Sequence, residues 1–169
     1  MRKRRILEPG AEYHVIARAN RGEFILESRK IKDLFLEILC RAKKRYKFQI
    51  RNFCIMSSHI HLIIKPGKNE NLSKIIQWIL SVFAVKYNKI FHIFGHVWYD
   101  RFSSFILNTF QKLAQTFIYI CENPVKAGIV RKSWEYPYSG IYYLRRKMYF
   151  YVEQPDIVTE NCLLLLSDC

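Results

Sequence analysis

The chain has 169 residues, and its 28 Lys and Arg against 14 Asp and Glu give a formal net charge of +14. Half of the residues are hydrophobic and 15% are aromatic, which excludes wholesale disorder because such a chain can bury a sizeable core. Its apolar runs are far shorter than the roughly 20 residues of a membrane span, and no secretory segment follows the basic start. We therefore expect a cytoplasmic protein that does not associate with membranes.

The basic charge is concentrated in most of the chain and is absent from its end. Residues 152–169 contain four acidic and no basic side chains, so residues 1–151 carry a net charge of +18. Basic residues also interleave with Tyr, Phe and Trp, a mixture that suits phosphate neutralisation and base stacking. Composition therefore favours a nucleic acid as the partner.

Hydrophobic periodicity predicts the element order β, α, β, β, α, β, α. The strands are expected at 13–18, 48–56, 60–65 and 102–107, and the helices at 31–42, from Asn71 or Ser73, and at 111–122. Asn123-Pro124 is expected to end the third helix, because a residue before proline disfavours the α region. This order predicts an α+β fold, a ferredoxin-like split β-α-β antiparallel sheet with helices on one face and an added C-terminal helix. We expect one domain over residues 1–143 and a C-terminal extension of unclear role over residues 144–169.

A histidine pair lies in the third predicted strand. His59 and His61 are two residues apart, so their side chains emerge on the same face of the strand. Two converging imidazoles can hold one divalent cation, although a purely structural histidine pair gives the same pattern.

The third predicted helix places one tyrosine away from its apolar face. Tyr119 shares its half of the helical wheel with Lys112, Gln115, Thr116 and Asn123. Asn123 is one turn after Tyr119 and could offer an amide oxygen to a metal held by the histidines. An exposed tyrosine without a chemical role remains the alternative.

Several blocks resemble one protein family. The segment from Tyr119 to Val130, YICENPVKAGIV, resembles the Y-I-x-x-N-P-V-[KR]-A-G motif of the REP-associated tyrosine transposases, relatives of the IS200/IS605 transposases among the HUH endonucleases. Residues 13–21, 56–62, 72–78 and 95–102 resemble further family blocks in the same order, and together the blocks cover roughly residues 2–143. Ser57-Ser58 replaces the usual Pro-Asn before the first histidine, which changes the turn and not the ligands.

The resemblance implies cleavage and rejoining of single-stranded, hairpin-forming repeat DNA. Tyr119 would be the nucleophile and would form a 5′-phosphotyrosine intermediate. His59, His61 and Asn123 would hold Mg²⁺ or Mn²⁺, since two nitrogens and an amide oxygen suit an octahedral ion. The resemblance also favours a monomer over a dimer with exchanged helices.

The DNA-binding candidates are basic or aromatic side chains in these blocks and at the N-terminus. They are Arg2, Lys3, Arg4, Arg5, Arg18, Trp98, Arg101 and Lys126. A solvated terminus is the alternative for the first four, and core packing is the alternative for Trp98. His14 and Arg18 share a face of the first strand and could support the metal face. The alternative function is a non-catalytic module that binds single-stranded DNA or RNA on the same fold.

Overall fold

The computed structural model describes residues 7–166, which form a four-stranded antiparallel sheet and five α-helices. The strands are β1 (Tyr13–Arg18), β2 (Phe48–Ile55), β3 (His59–Pro66) and β4 (Ser103–Ile106). The helices are α1 (Arg29–Arg45), α2 (Leu72–Phe91), α3 (Phe110–Lys126), α4 (Gly140–Arg145) and α5 (Ile157–Leu165). The predicted order of the first seven elements is confirmed, and α4 and α5 are additional. Within the described range, no helix has the length and apolar character needed to cross a bilayer.

The three long helices each begin at a polar capping residue. Side-chain oxygens of Ser28, Asn71 and Thr109 accept a hydrogen bond from the backbone N–H three residues on. Such caps satisfy an N–H group that has no partner inside the helix, and each contributes about 1 kcal/mol. The second helix is expected from Asn71 or Ser73, and α2 begins at Leu72 with Asn71 as its cap, whereas α3 begins one residue before its predicted start.

The sheet has the strand order β2-β3-β1-β4, and all neighbouring strands are antiparallel. Residues directly opposite each other share a face, so Val15 pairs with Leu62 on one face and Ile16 pairs with His61 on the other. Val15 and Leu62 are fully buried. The helices α1 and α2 cover this first face, and their buried rings Phe35 and Phe83 contact each other with centroids 5.5 Å apart.

Helix α3 covers part of the opposite face, the one that carries His61. Asn52 of β2 is fully buried, and its Nδ2 donates to the carbonyl oxygen of Phe117 and to Sγ of Cys121, each at 3.2 Å. A buried amide without partners would cost about 1–3 kcal/mol, so these bonds strongly favour one placement of the helix. The sheet thus separates two packing helices from the helix that carries Tyr119.

The predicted end of the third helix at Asn123-Pro124 is wrong. Helix α3 continues through Pro124 to Lys126, and the N–H of Ala127 still donates to the carbonyl oxygen of Asn123 at 3.0 Å. Proline in the last turn removes only one backbone hydrogen bond, and Pro124 is buried, so packing outweighs the local preference. Gly128, with φ +68°, then provides the left-handed conformation that ends many helices.

The segment after α3 packs back on the domain. The guanidinium of Arg51 pairs with the carboxylates of Glu12 and Asp156, and its Nη1 donates to Oγ1 of Thr159 at 3.1 Å. These contacts join β2 to the start of α5, which packs against α3. The boundary expected at residue 143 falls inside α4. A separate role for the C-terminal segment remains a prediction.

Candidate active site

Three histidines and Tyr119 meet on the sheet face covered by α3. The ring of His61 lies at the centre, with centroids 5.0 Å from His59, 5.2 Å from His14 and 5.6 Å from Tyr119. The rings of His59 and His61 are perpendicular, at 90°. The two-residue spacing in β3 produces the expected shared face, and α3 brings Tyr119 to it.

His59 and His61, the two histidines of β3, each use Nδ1 in a hydrogen bond. Nδ1 of His61 lies 3.0 Å from Nε2 of His14, and Nδ1 of His59 lies 3.2 Å from Oγ of Ser58. Nε2 of His61 is buried and has no hydrogen-bond partner among residues 7–166. When each Nδ1 carries the hydrogen and donates it, each Nε2 keeps a free lone pair. This is the arrangement of metal-ligating histidines, whose second nitrogen is held by a neighbouring acceptor.

The electrostatics of the cluster keep these imidazoles neutral. Burial, followed by the charges of His59, His14 and Arg18, lowers the pKa of His61 to about 3. Burial lowers the pKa of His14 to about 4, and burial together with the charge of Arg18 lowers the pKa of His59. Neutral imidazole is the form that binds a cation, so the site is ready for a ligand at pH 7.

Tyr119, Asn123 and Lys126 of α3 differ in their exposure and in their partners. Tyr119 is 45% exposed, and Nζ of Lys126 lies 5.9 Å from its ring centroid while pairing with Glu122 at 2.6 Å. Nδ2 of Asn123 donates to the carbonyl oxygen of Tyr119 at 2.8 Å, and its amide oxygen takes no part in that bond. Within residues 7–166, no three His, Cys, Asp or Glu side chains form a metal-binding group. A cation bound by His59 and His61 therefore needs a different third donor, such as an amide oxygen.

A groove of about 1020 Å³ lies between β4 and α3 and reaches His14 and Tyr119. Its α3 wall consists of Tyr119 and three of the four polar residues that share its half of the helical wheel, Lys112, Gln115 and Thr116. Its β4 wall includes Phe105, and Arg101 lines the groove where the strand begins. The groove gives an extended ligand access to the tyrosine.

The other DNA-binding candidates have different surroundings. Arg18 is exposed and lies opposite His59 in the sheet register. The ring of Trp98 contacts Phe35 and Phe83, and its Nε1 donates to the carbonyl oxygen of Leu80 at 3.0 Å. The ring and the N–H of Trp98 are both engaged inside the protein, which agrees with the packing alternative, and a DNA contact of its remaining exposed surface stays a prediction. Arg2, Lys3, Arg4 and Arg5 lie outside the described residues.

Comparison with known proteins identifies the family. A family model described as "Transposase IS200 like" matches residues 9–123, about two thirds of the chain. The chain belongs to the IS200-like transposase family. Transposases are enzymes, and those of this family generally depend on a divalent metal.

Individual relatives of this member of the IS200-like transposase family agree with the assignment. A Haemophilus influenzae protein described as a REP-associated tyrosine transposase is 28% identical over 109 residues, which are 59% of this chain and 62% of that protein. A structure of a REP-associated tyrosine transposase bound to a REP hairpin superposes with a TM-score of 0.73 and 19% identity, covering 93% of each chain. A structure described as a transposase of Deinococcus radiodurans gives a TM-score of 0.51 and 18% identity over 71% of this chain and 95% of that one. At these identities the two structures show a shared fold.

The sequence of this family member does not reveal two residues that shape the site. Asn52, which holds α3, is a polar residue inside the apolar run of β2, and such an interruption signals a buried polar contact. Phe105, which lines the groove, is an apolar residue with 56% exposure in a short edge strand. Strand alternation assigns Phe105 to one face of the sheet but does not reveal that this face is exposed to solvent at β4.

Proposed function

We propose that this protein is a single-stranded DNA endonuclease and strand transferase with Tyr119 as its nucleophile and a divalent metal at His59, His61 and Asn123. The observation that carries the proposal is the ring of Tyr119 beside His61, whose buried Nε2 has no partner in the described part of the chain. A binding module has no need for a desolvated imidazole nitrogen next to a half-exposed phenol. A metal ligand beside a nucleophile accounts for both features.

The residues present fit the proposed metal. Hydrogen bonds to Ser58 and His14 occupy Nδ1 of the two ligand histidines, which leaves their Nε2 atoms for coordination. Asn123 follows Tyr119 by one turn of α3, and its amide oxygen, which is not used in the bond from Nδ2 to the carbonyl oxygen of Tyr119, would be the third ligand. Two nitrogens and one amide oxygen leave positions for phosphate and water, which suits Mg²⁺ or Mn²⁺ better than a closed zinc site. When bound, such an ion polarises a phosphate oxygen and stabilises the negative charge that develops during cleavage.

The chain's own residues supply the covalent step. The phenol oxygen of Tyr119 attacks the scissile phosphorus and loses its proton to solvent, and an O–P bond to tyrosine forms. The bond from phosphorus to the 3′ oxygen breaks, and this oxygen takes up a proton to become a free 3′-hydroxyl. The 5′-phosphotyrosine bond preserves the energy of the original phosphodiester, so a later 3′-hydroxyl can attack it and rejoin the strand. Lys126, whose Nζ lies 5.9 Å from the ring centroid of Tyr119, and Arg101, which lines the groove, would contact DNA phosphates.

Hairpin-forming repeat DNA is the substrate that the relatives favour. The superposed structure with a TM-score of 0.73 is described as bound to a REP hairpin, and the Haemophilus influenzae relative carries the same REP-associated description. The net charge of +14 agrees with a polyanionic substrate. We also propose a monomer in the cytoplasm, and light scattering of the purified protein tests its mass.

The test is the formation of a covalent protein–DNA adduct. A hairpin-bearing single strand is labelled at its 3′ end in one sample and at its 5′ end in another, incubated with Mn²⁺ and run on a denaturing gel. We expect the 3′ label to shift to the protein and the 5′ label to leave with the free 3′-hydroxyl fragment. Tyr119→Phe should abolish the adduct and keep DNA binding, whereas Tyr99→Phe, at a tyrosine that is 73% exposed, should retain both. An adduct that persists in Tyr119→Phe contradicts the assigned nucleophile.

A further inference from the structure

The groove beside Tyr119 has an aromatic wall that the cleavage chemistry does not use. Phe105 pairs with His14 in the sheet register, so its ring lies on the same face as the histidines. The ring centroids of Phe105 and His14 are 6.2 Å apart, and 56% of Phe105 is exposed. Exposure of this apolar ring to water is unfavourable, because burial of apolar surface stabilises by about 25 cal/mol per Å². The ring is thus available to a ligand.

The opposite wall of the groove is polar and basic. Gln115 and Thr116 of α3 line it together with Lys112, and Arg101 lies at the β4 side. One wall therefore offers a π-face, and the other offers hydrogen-bonding groups and positive charge. An unpaired nucleotide needs this combination, since its base stacks, its edge forms hydrogen bonds and its phosphate is anionic.

We propose that this groove is a single-stranded DNA subsite in which a base adjacent to the scissile phosphate stacks on Phe105. The proposal rests on the proposed function for the position of the scissile phosphate. The occupant is single-stranded, because the bases of a duplex are covered on both faces by their neighbours and cannot stack on a side chain. A phenyl ring has no hydrogen-bonding group, so Phe105 contributes affinity and positioning for any base. Gln115 and Thr116, with their donors and acceptors, distinguish one base from another.

Phe105 has a closely matched control in the same chain. Phe110 is the first residue of α3, is 57% exposed and is not among the residues that line the groove. Replacing either residue with alanine removes the same ring from a similar environment. Only the groove residue should affect the DNA.

The experiment measures binding without catalysis. Fluorescein-labelled dT12 and the duplex dT12·dA12 are titrated by anisotropy in buffer with EDTA, which keeps metal-dependent cleavage out of the measurement. We expect Phe105→Ala to weaken dT12 binding roughly 5- to 150-fold, the range for loss of one stacked base, and to leave the duplex affinity within about twofold. Phe110→Ala should bind both DNAs as the wild type does.

Two outcomes overturn the subsite. One is an equal affinity of Phe105→Ala and wild type for dT12, and the other is an equal loss for single strand and duplex, which indicates a general change in the surface. If Phe105→Ala melts at a lower temperature than the wild type, Phe105→Trp is tested in its place. The larger ring of tryptophan should preserve or strengthen dT12 binding, and weaker binding contradicts stacking. A failure of the proposed function looks different. In that case no covalent adduct forms with hairpin DNA, while the loss of dT12 binding in Phe105→Ala remains.

Discussion

The buried pair of His14 and His61 should make the protein sensitive to mild acid. The two rings are 8% and 2% exposed and share a hydrogen bond of 3.0 Å between Nε2 and Nδ1. Their pKa values are lowered by burial to about 4 and about 3, against about 6.5 in an unfolded chain. The unfolded state therefore takes up protons first as the pH falls. The stability is fully present above pH 6.5 and is lost progressively toward the lower pKa values of the folded state.

The size of this loss of stability follows from the difference between the pKa of each histidine in the unfolded state and its lower pKa in the folded state. At pH 5 the medium is about 1.5 units below the pKa of a free histidine, and each unit corresponds to about 1.36 kcal/mol per proton. Each buried histidine therefore costs about 2 kcal/mol between pH 7 and pH 5, and the pair costs about 4 kcal/mol. This is a large share of the roughly 5–15 kcal/mol that stabilises a typical domain. The melting temperature should fall by roughly 8–16 °C.

Urea unfolding followed by tryptophan fluorescence measures this effect. The free energy of unfolding is compared at pH 7, 6 and 5 in the presence of EDTA, so that no metal contributes. His14→Gln should remove the share of His14, which is about half of the loss that the pair of His14 and His61 contributes. His92→Gln, at an exposed histidine, should keep the wild-type dependence. A wild-type free energy that changes by less than about 1 kcal/mol between pH 7 and pH 5 refutes the reasoning, as does an unchanged dependence in His14→Gln.

Two further predictions concern the metal and the packing of α3. Mn²⁺ at about 100 times its dissociation constant should stabilise the wild type by about 2.7 kcal/mol and raise its melting temperature. His59→Ala and His61→Ala should show no such rise. A full rise in both variants contradicts the role of these histidines as ligands. Gly140→Ala should lower the free energy of unfolding by about 1–3 kcal/mol, because the added β-carbon would contact Oδ1 of Asn52 and lie 3.0 Å from the backbone nitrogen of Phe53. Urea denaturation checks it, and a wild-type midpoint would show that Asn52 can move.

Local patterns predict the parts of this structure that depend on neighbouring residues. The strand β1 is observed over the predicted residues 13–18, and α2 begins after the predicted cap Asn71. The shared face of His59 and His61 follows from strand geometry, and the groove face of α3 follows from its helical period. In each case the controlling interactions lie within one or two turns, or within one strand.

Contacts between distant segments are where prediction from the sequence fails. His14 and His61 are 47 residues apart, and only the register between β1 and β3 brings their nitrogens together. Trp98 belongs to a block that resembles the family, and its packing against Phe35 of α1 and Phe83 of α2 is a tertiary contact that the local sequence does not reveal. The continuation of α3 through Pro124 likewise reflects burial that no local rule contains.

The placement of Tyr119 shows why a motif can point to a candidate nucleophile and still leave the geometry of its site undetermined. The motif begins at Tyr119, but the helix is fixed to the sheet through Phe117 and Cys121, which lie two residues before and two residues after the tyrosine. Both accept from one buried amide, that of Asn52, which belongs to β2 and lies 65 residues from Phe117 in the chain. Because this strand also pairs with β3, the same element positions the histidines and the tyrosine helix. The relative geometry of the proposed nucleophile and the proposed metal ligands is therefore determined by β2, a strand that contributes no atom to the proposed chemistry.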